Sequence, residues 1–182
     1  TQPSRASSSL RGVQPWFNLG YGNRLYTPQA PDDFAVGWAP LNDDEARQAW
    51  VRFVGKIAER FRDRVKHWEL WNEPNITSFW KPRKPSPEDY VELVKLTAPE
   101  IRRRIPDAVI VGGAYAGMPT DYFRRCLEAG MADHVDRVSY HPYRPMPEKG
   151  YEAEVREWRA LAEKHKPGLK LWQGENGCPS KK

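Results

Sequence analysis

The chain has 182 residues, of which 39% are hydrophobic, and this length is typical of one domain with a sizeable core. Eight Trp, eight Tyr and six Phe bury enough apolar surface to exclude an intrinsically disordered chain. The formal net charge of +5 is spread along helical segments with acidic residues interleaved, so we expect no nucleic-acid partner. No apolar run is long enough for a membrane span, so we expect no membrane partner either.

Short apolar runs alternate with longer segments of helical periodicity along the whole chain. In chain order, the predicted elements are a strand at 13–20, a helix over 46–61, a strand at 67–72, a helix over 87–105, a strand at 109–113, a helix at 121–128, a strand at 137–141, a helix at 151–165 and a strand at 169–175. Asn42 with Glu45 forms a predicted capping box for the first helix. Ser86 is the predicted cap of the second helix, Pro87 its first residue, and Pro99 a predicted bend.

This alternation predicts crossover connections and a parallel sheet with its strands in sequential order. Both an open doubly wound sheet and a (β/α)₈ barrel fit the pattern. No GxGxxG and no GxxxxGK[ST] occurs, so the nucleotide-binding version of the open sheet has no support. A complete barrel takes about 250 residues, so the chain would hold five of the eight strand–helix units of a barrel.

Polar side chains collect where the predicted strands end, which is where parallel α/β sheets place their functional groups. In chain order they are Tyr21, Asn23, Asn72, Glu73, His141, Tyr143 and Glu175. Two carboxylates at the ends of separate strands are what glycosidic cleavage requires, one as proton donor and the other to attack or stabilise the anomeric carbon. Four aromatic residues nearby offer faces for sugar rings: Phe34, Trp38, Phe79 and Trp80.

Four segments resemble clan A glycoside hydrolases, and the families nearest in pattern are 39 and 5. WELWNEPN at 68–75 resembles the fourth-strand motif, whose Asn-Glu-Pro carries the acid/base, and WQGENG at 172–177 resembles the seventh-strand segment with the nucleophile. YHPY at 140–143 is similar to the sixth-strand His-x-Tyr, and YGN at 21–23 to the end of the third strand. The resemblance extends over about 13–177.

The resemblance implies a single, incomplete TIM-barrel catalytic domain over 1–182, with units matching strands three to seven. It implies a retaining mechanism in which Glu73 is the acid/base, protonated at rest, and Glu175 is the ionised nucleophile. Asn72 matches the amide that bonds the sugar 2-hydroxyl, and Tyr143 or His141 would orient Glu175 or contact the sugar. Segments matching strands one, two and eight are missing, so we expect a fragment whose open sheet edges favour self-association.

For several residues the sequence allows both a functional and a structural role. Trp38 and Trp80 either stack on sugar or pack their loops, and the loop over 24–41, with Tyr26, Phe34 and Trp38, is predicted to form a cleft wall. His141 is either a ligand or a core histidine. Glu69 shares the strand face of Glu73, and we favour a structural pairing with a basic or hydroxyl group over a catalytic role.

We expect a carbohydrate substrate, no cofactor and no metal, because no cluster along the chain has metal-ligand spacing. Cys126 and Cys178 exclude a disulfide scaffold, although one bridge between them stays open. Two other functions also remain open: a non-catalytic carbohydrate-binding barrel remnant, and a barrel isomerase or lyase that uses the carboxylates for proton transfer.

Overall fold

The computed structural model describes residues 12–31 and 35–178, so the opening segment and Phe34 lie outside the described residues. Over the described part, five strands alternate with four α-helices: β1 Trp16–Leu19, α1 Asp44–Phe61, β2 His67–Leu70, α2 Pro87–Arg102, β3 Val109–Ala116, α3 Thr120–Glu128, β4 Arg137–His141, α4 Tyr151–His165 and β5 Lys170–Gln173. The predicted alternation is confirmed. A short 3₁₀ turn, Met131–Asp133, joins α3 to β4.

Two helix starts test the capping predictions. Ser86 caps α2 as predicted, since its hydroxyl accepts a hydrogen bond from the Asp89 amide at 3.2 Å. The predicted Asn42–Glu45 box is wrong: Asp43 is the cap of α1, and its carboxylate accepts from the Ala46 amide at 2.8 Å. A carboxylate at this position also complements the positive end of the helix dipole.

The sheet is parallel throughout, in the order β1-β2-β3-β4-β5. Trp16 of β1 and Trp172 of β5 come together on the inner face, with ring centroids 5.1 Å apart. Contact between side chains of the two outermost strands requires a strongly curved sheet. The curvature and the sequential order are those of an incomplete (β/α)₈ barrel, which confirms the predicted fold class.

The helices cover the outer face of the sheet with a largely aromatic core. Phe123 of α3 stacks on Trp158 of α4 with ring centroids 4.4 Å apart, and Trp158 is fully buried. Trp50 of α1 donates from its indole N–H to the Thr97 hydroxyl of α2 at 2.8 Å. These contacts hold successive crossover helices together, and so fix the strand ends that carry the polar residues.

Two further expectations bear on the fold. Among the described helices, none is long and apolar enough to cross a membrane. Cys126 is buried and Cys178 is exposed, and both are free thiols.

Candidate active site

The segment after β2 holds Glu73 in an unusual backbone conformation. Trp71 and Glu73 have φ angles of 70° and 46°, in the left-handed region that non-glycine residues rarely adopt. Two backbone bonds fix them: the Trp71 amide donates to Leu19 O at 2.9 Å, and the Glu73 amide donates to Ala114 O at 2.8 Å. Strain of this kind costs about 1–3 kcal/mol per residue and persists where neighbouring structure imposes it, typically at functional sites.

Tyr90 of α2 joins β2 to β3 just below Glu73. Its hydroxyl donates to Leu70 O at 3.0 Å and accepts from the Gly113 amide at 2.7 Å. The residue is fully buried. The hydroxyl therefore replaces a ladder bond near the register shift of β3, between Gly112 and Tyr115.

We expect Tyr90→Phe to lower the free energy of unfolding by about 2–4 kcal/mol, because it leaves a buried N–H and a buried C=O unpaired. Urea denaturation measures this as a lower midpoint. Tyr140→Phe is the matched control: Tyr140 is also buried, but its hydroxyl has the Tyr151 hydroxyl as partner at 2.8 Å. The free energy of unfolding should fall by only about 1 kcal/mol in Tyr140→Phe. Equal midpoints for Tyr90→Phe and the unmodified chain would contradict this role.

The two predicted catalytic carboxylates lie on either side of one buried imidazole. His141 Nδ1 is 3.1 Å from Glu73 Oε1 and 3.7 Å from Glu175 Oε2. One atom from each of the three residues lies within 4.8 Å of the other two. The Glu73 side chain is 13% exposed and the Glu175 side chain 47%. The structure therefore brings together Glu73, His141 and Glu175 from the ends of three strands.

Two phenols border the same carboxylates. The Tyr143 hydroxyl donates to Glu175 Oε2 at 2.8 Å, and this bond is the main cause that raises the pKa of Tyr143. Burial, followed by the charges of Glu175 and Glu73, raises the pKa of Tyr21. Both phenols thus remain protonated donors near neutral pH, next to the carboxylates.

The aromatic surface beside the carboxylates differs from the predicted one. Tyr21 is 38% exposed and stacks on Phe79 with an interplanar angle of 21°. Trp80 is 1% exposed and packs edge-on against Trp71 and Tyr90, so it presents no free face to a sugar. Of the two interpretations of Trp80, the structure supports loop and core packing.

Trp38 is also buried. It is 9% exposed and clusters with Ala30 and Ala35 of its own loop. Of the two interpretations of Trp38, this burial supports packing within the loop. The cleft wall predicted for the loop over 24–41 stays a prediction. Periodicity along the sequence cannot distinguish a tryptophan that packs within its loop from one that is exposed for binding.

The two candidate amides occupy different environments. Asn72 is 8% exposed at the rim of the barrel, directly before Glu73. Asn23 is exposed, and its side chain accepts from the Leu25 amide at 2.9 Å, an Asx turn that shapes the loop after β1. Asn75, which sequence reasoning did not single out, ties the Glu73 segment to β3 by two bonds with Ala116, at 2.9 and 3.0 Å.

Glu69 lies inside the barrel, as its strand position predicted. It is 5% exposed, and its Oε2 accepts from the Asn18 amide at 2.9 Å. Burial raises the pKa of Glu69, while the Asn18 amide, the nearby Ser139 hydroxyl and His141 oppose the rise. The Asn18 amide is a partner that was not expected, while the Ser139 hydroxyl and the basic His141 are groups of the kinds that were expected near Glu69. The strand pattern is consistent with this pairing. Asn18 lies two residues after Trp16 on β1, so both side chains project from the inner face of the sheet.

Spacing along the sequence could not show that a carboxylate, an imidazole and a second carboxylate converge. Glu73, His141 and Glu175 are close enough in principle to share a cation, but such acidic groups are common without one. The direct contact of His141 with the carboxylates accounts for their closeness without a metal. Our expectation that the site works without a metal stays a prediction.

Comparison with known proteins gives partial matches. No protein-family model matches the chain. β-Glucosidase 1B of Phanerodontia chrysosporium is 47% identical over 64 residues, which are 35% of this chain and 11% of the relative. The β-xylosidase of Geobacillus stearothermophilus is 32% identical over 111 residues, 57% of this chain and 21% of the relative. The matches thus span about a fifth or less of these relatives.

The fold agrees with solved structures over nearly the whole chain. A family 39 β-xylosidase from Caulobacter crescentus superposes with a TM-score of 0.74 at 25% identity, covering 95% of this chain and 39% of that structure. The chain therefore spans about two fifths of that structure, and it has the fold of that part of the barrel. The resemblance to clan A glycoside hydrolases, with family 39 among the neighbours, is confirmed.

Proposed function

We propose that the chain carries the catalytic centre of a retaining β-glycoside hydrolase, with Glu73 as acid/base and Glu175 as nucleophile. The observation that carries the proposal is the convergence of both carboxylates on His141, with the three groups within 4.8 Å of one another. Retaining enzymes keep their carboxyl groups about 5–5.5 Å apart, whereas inverting enzymes need about 6.5–9.5 Å to admit a water molecule. The spacing favours the retaining class.

The exposure of the two carboxylates supports the assignment of roles. Glu175 is the more open group, and Tyr143 occupies its Oε2, which leaves Oε1 to attack the anomeric carbon. Glu73 is the more enclosed group and directly follows Asn72, as in the Asn-Glu-Pro motif that carries the proton donor. Glu73 gives its proton to the departing oxygen as the C–O bond breaks and the Glu175 ester forms.

Hydrolysis of the ester reverses the roles. Glu73, now ionised, takes a proton from water as the water oxygen attacks the anomeric carbon, and the Glu175 carboxylate leaves. Asn72, directly before Glu73, would hold the sugar 2-hydroxyl, a contact that strengthens as the ring approaches the oxocarbenium ion. Two inversions at one carbon give a product with the configuration of the substrate.

We infer small β-linked glycosides as substrates because the curated relatives are a β-glucosidase and a β-xylosidase. The direct test incubates the purified chain with aryl β-xylosides and aryl β-glucosides, with the α-anomers as controls. Release of the aryl group from β-anomers only is the expected result. Calorimetric binding of the sugars without any release would instead identify a carbohydrate-binding remnant, and a rearranged or unsaturated product an isomerase or lyase.

Tyr21→Ala should raise KM about threefold to tenfold and change kcat less. Tyr21 is an exposed aromatic ring next to the carboxylates, and an aromatic contact contributes about 0.5–1.5 kcal/mol. Trp38→Ala is the control, since Trp38 packs inside its loop, and it should lower thermal stability with little change in KM. An unchanged KM for Tyr21→Ala would remove Tyr21 from the substrate contacts.

We also propose self-association through the sheet edges. Among the described strands, β1 pairs with β2 alone and β5 with β4 alone, so each leaves one edge unpaired. Unpaired parallel edges recruit other strands. Light scattering should give a mass that increases with concentration. A constant monomer mass would contradict the proposal.

A further inference from the structure

The strained turn that carries Glu73 faces a second strained turn near the end of β3. Ala114 of β3 has a φ angle of 47°, in the same left-handed region as Glu73 at 46°. The Glu73 amide donates to Ala114 O at 2.8 Å, so the two turns are in direct contact. Neither residue is a glycine, so both conformations persist only while neighbouring bonds impose them.

Asn75 extends this contact on the other side of Glu73. Its Oδ1 accepts from the Ala116 amide at 2.9 Å, and its Nδ2 donates to Ala116 O at 3.0 Å. One side-chain amide thus bonds both backbone groups of one residue, as a paired strand would. Together with the bond from the Glu73 amide to Ala114 O, these bonds join the Glu73 segment to β3 at two positions. A change in the backbone conformation of Glu73 has to break at least one of them.

The end of β3 is in turn bonded to the residue that contacts the Glu73 carboxyl group. Ala116 pairs with His141 of β4, and the Gly117 amide donates to His141 O at 3.0 Å. The His141 ring lies against the carboxyl group, with Nδ1 3.1 Å from Glu73 Oε1. The contacts form a closed ring, and Asn75 supplies its side-chain link between the Glu73 segment and the end of β3.

We propose that Asn75 is a positioning residue for the acid/base: its two bonds to Ala116 hold the backbone of Glu73 in the left-handed conformation and so keep its carboxyl group against His141. Without these bonds, the φ angle of Glu73 relaxes to the favoured negative region and the carboxyl group moves. A displacement of about 1 Å in a reacting group can cost about 100-fold in rate. The catalytic consequence rests on the proposed function, whereas the backbone consequence does not.

Asn75→Ala removes both bonds, and its kinetics distinguish impaired proton donation from a general loss of folded protein. The ratio kcat/KM reports the steps up to the formation of the Glu175 ester. For β-glycosides with poor leaving groups, which need the Glu73 proton, kcat/KM should fall about 10- to 100-fold. For dinitrophenyl β-glycosides, which leave without a proton, it should fall less than about threefold. An equal loss with both kinds of substrate would overturn the proposal.

Asn42→Ala is the matched control. Asn42 is a half-buried asparagine in the turn before α1, so the same substitution there should leave kcat/KM unchanged for both kinds of substrate. If Asn75→Ala does not fold, Asn75→Asp is the second variant, because it keeps the acceptor for the Ala116 amide and loses the donor to Ala116 O. It should show the same leaving-group pattern with a smaller loss, and unchanged rates for poor leaving groups would overturn the proposal.

A crystal structure of Asn75→Ala tests the backbone effect without any turnover. We expect a negative φ angle at Glu73 and a Glu73 carboxyl group beyond hydrogen-bond distance of His141 Nδ1. An unchanged φ angle with an unchanged contact to His141 overturns the proposal, whatever the kinetics. A displaced Glu73 in this variant, combined with no turnover by the unmodified chain, would support the positioning and contradict the proposed function alone.

Discussion

Glu175→Ala should lower kcat by about 10⁴- to 10⁶-fold for every leaving group, the scale on which loss of a covalent nucleophile acts. Glu175 is the carboxylate that is open to the cleft and held by Tyr143, and no other described carboxylate shares its contact with His141 except Glu73. Without it the glycosyl ester cannot form. Initial rates with aryl β-glycosides of graded leaving-group acidity measure the loss.

Glu157→Ala is the control for this change. Glu157 is an exposed carboxylate on α4, so its removal should leave kcat unchanged. A loss at Glu175 that is large for poor leaving groups and small for good ones would be the signature of a general acid. That pattern would contradict the nucleophile assignment.

Glu73→Ala should lower kcat by about 10²- to 10⁴-fold for substrates with poor leaving groups, since these depend on proton donation. Substrates with good leaving groups should still form the Glu175 ester. Added azide should then restore turnover, because a small anion reaches the anomeric carbon without general-base help. The product should be the β-glycosyl azide, identified by NMR.

The configuration of the azide product distinguishes the two carboxylates. Attack on the Glu175 ester gives the β-azide, whereas direct displacement in an enzyme that lacks its nucleophile gives the α-azide. An α-azide from Glu73→Ala, paired with a β-azide from Glu175→Ala, would exchange the two roles.

The strand–helix alternation could be predicted because each element carries its own local signal. The bounds of β4 and α4 agree with the prediction, where apolar periodicity ends at clear turn residues. The end of β3 could not be predicted, because it continues through a register shift that Gly113 and the Tyr90 hydroxyl accommodate. A bond between a helix side chain and a strand amide leaves no local pattern.

The placement of Glu73, His141 and Glu175 at strand ends could be predicted from the motifs and the topology. The exposure of the aromatic side chains around them could not. Trp38 and Trp80 lie on loops, but tertiary packing buries both. Tyr21 was predicted as a substrate-binding residue at a strand end, but its stacking on Phe79 depends on two loops that meet in space.

The most direct test of the Glu73–Glu175 pair is the configuration of the first sugar released from an aryl β-glycoside, followed by proton NMR before mutarotation. The short separation of the two carboxylates on His141 predicts the β-anomer as the initial product. Initial release of the α-anomer would contradict the double displacement and require a water molecule between the carboxylates.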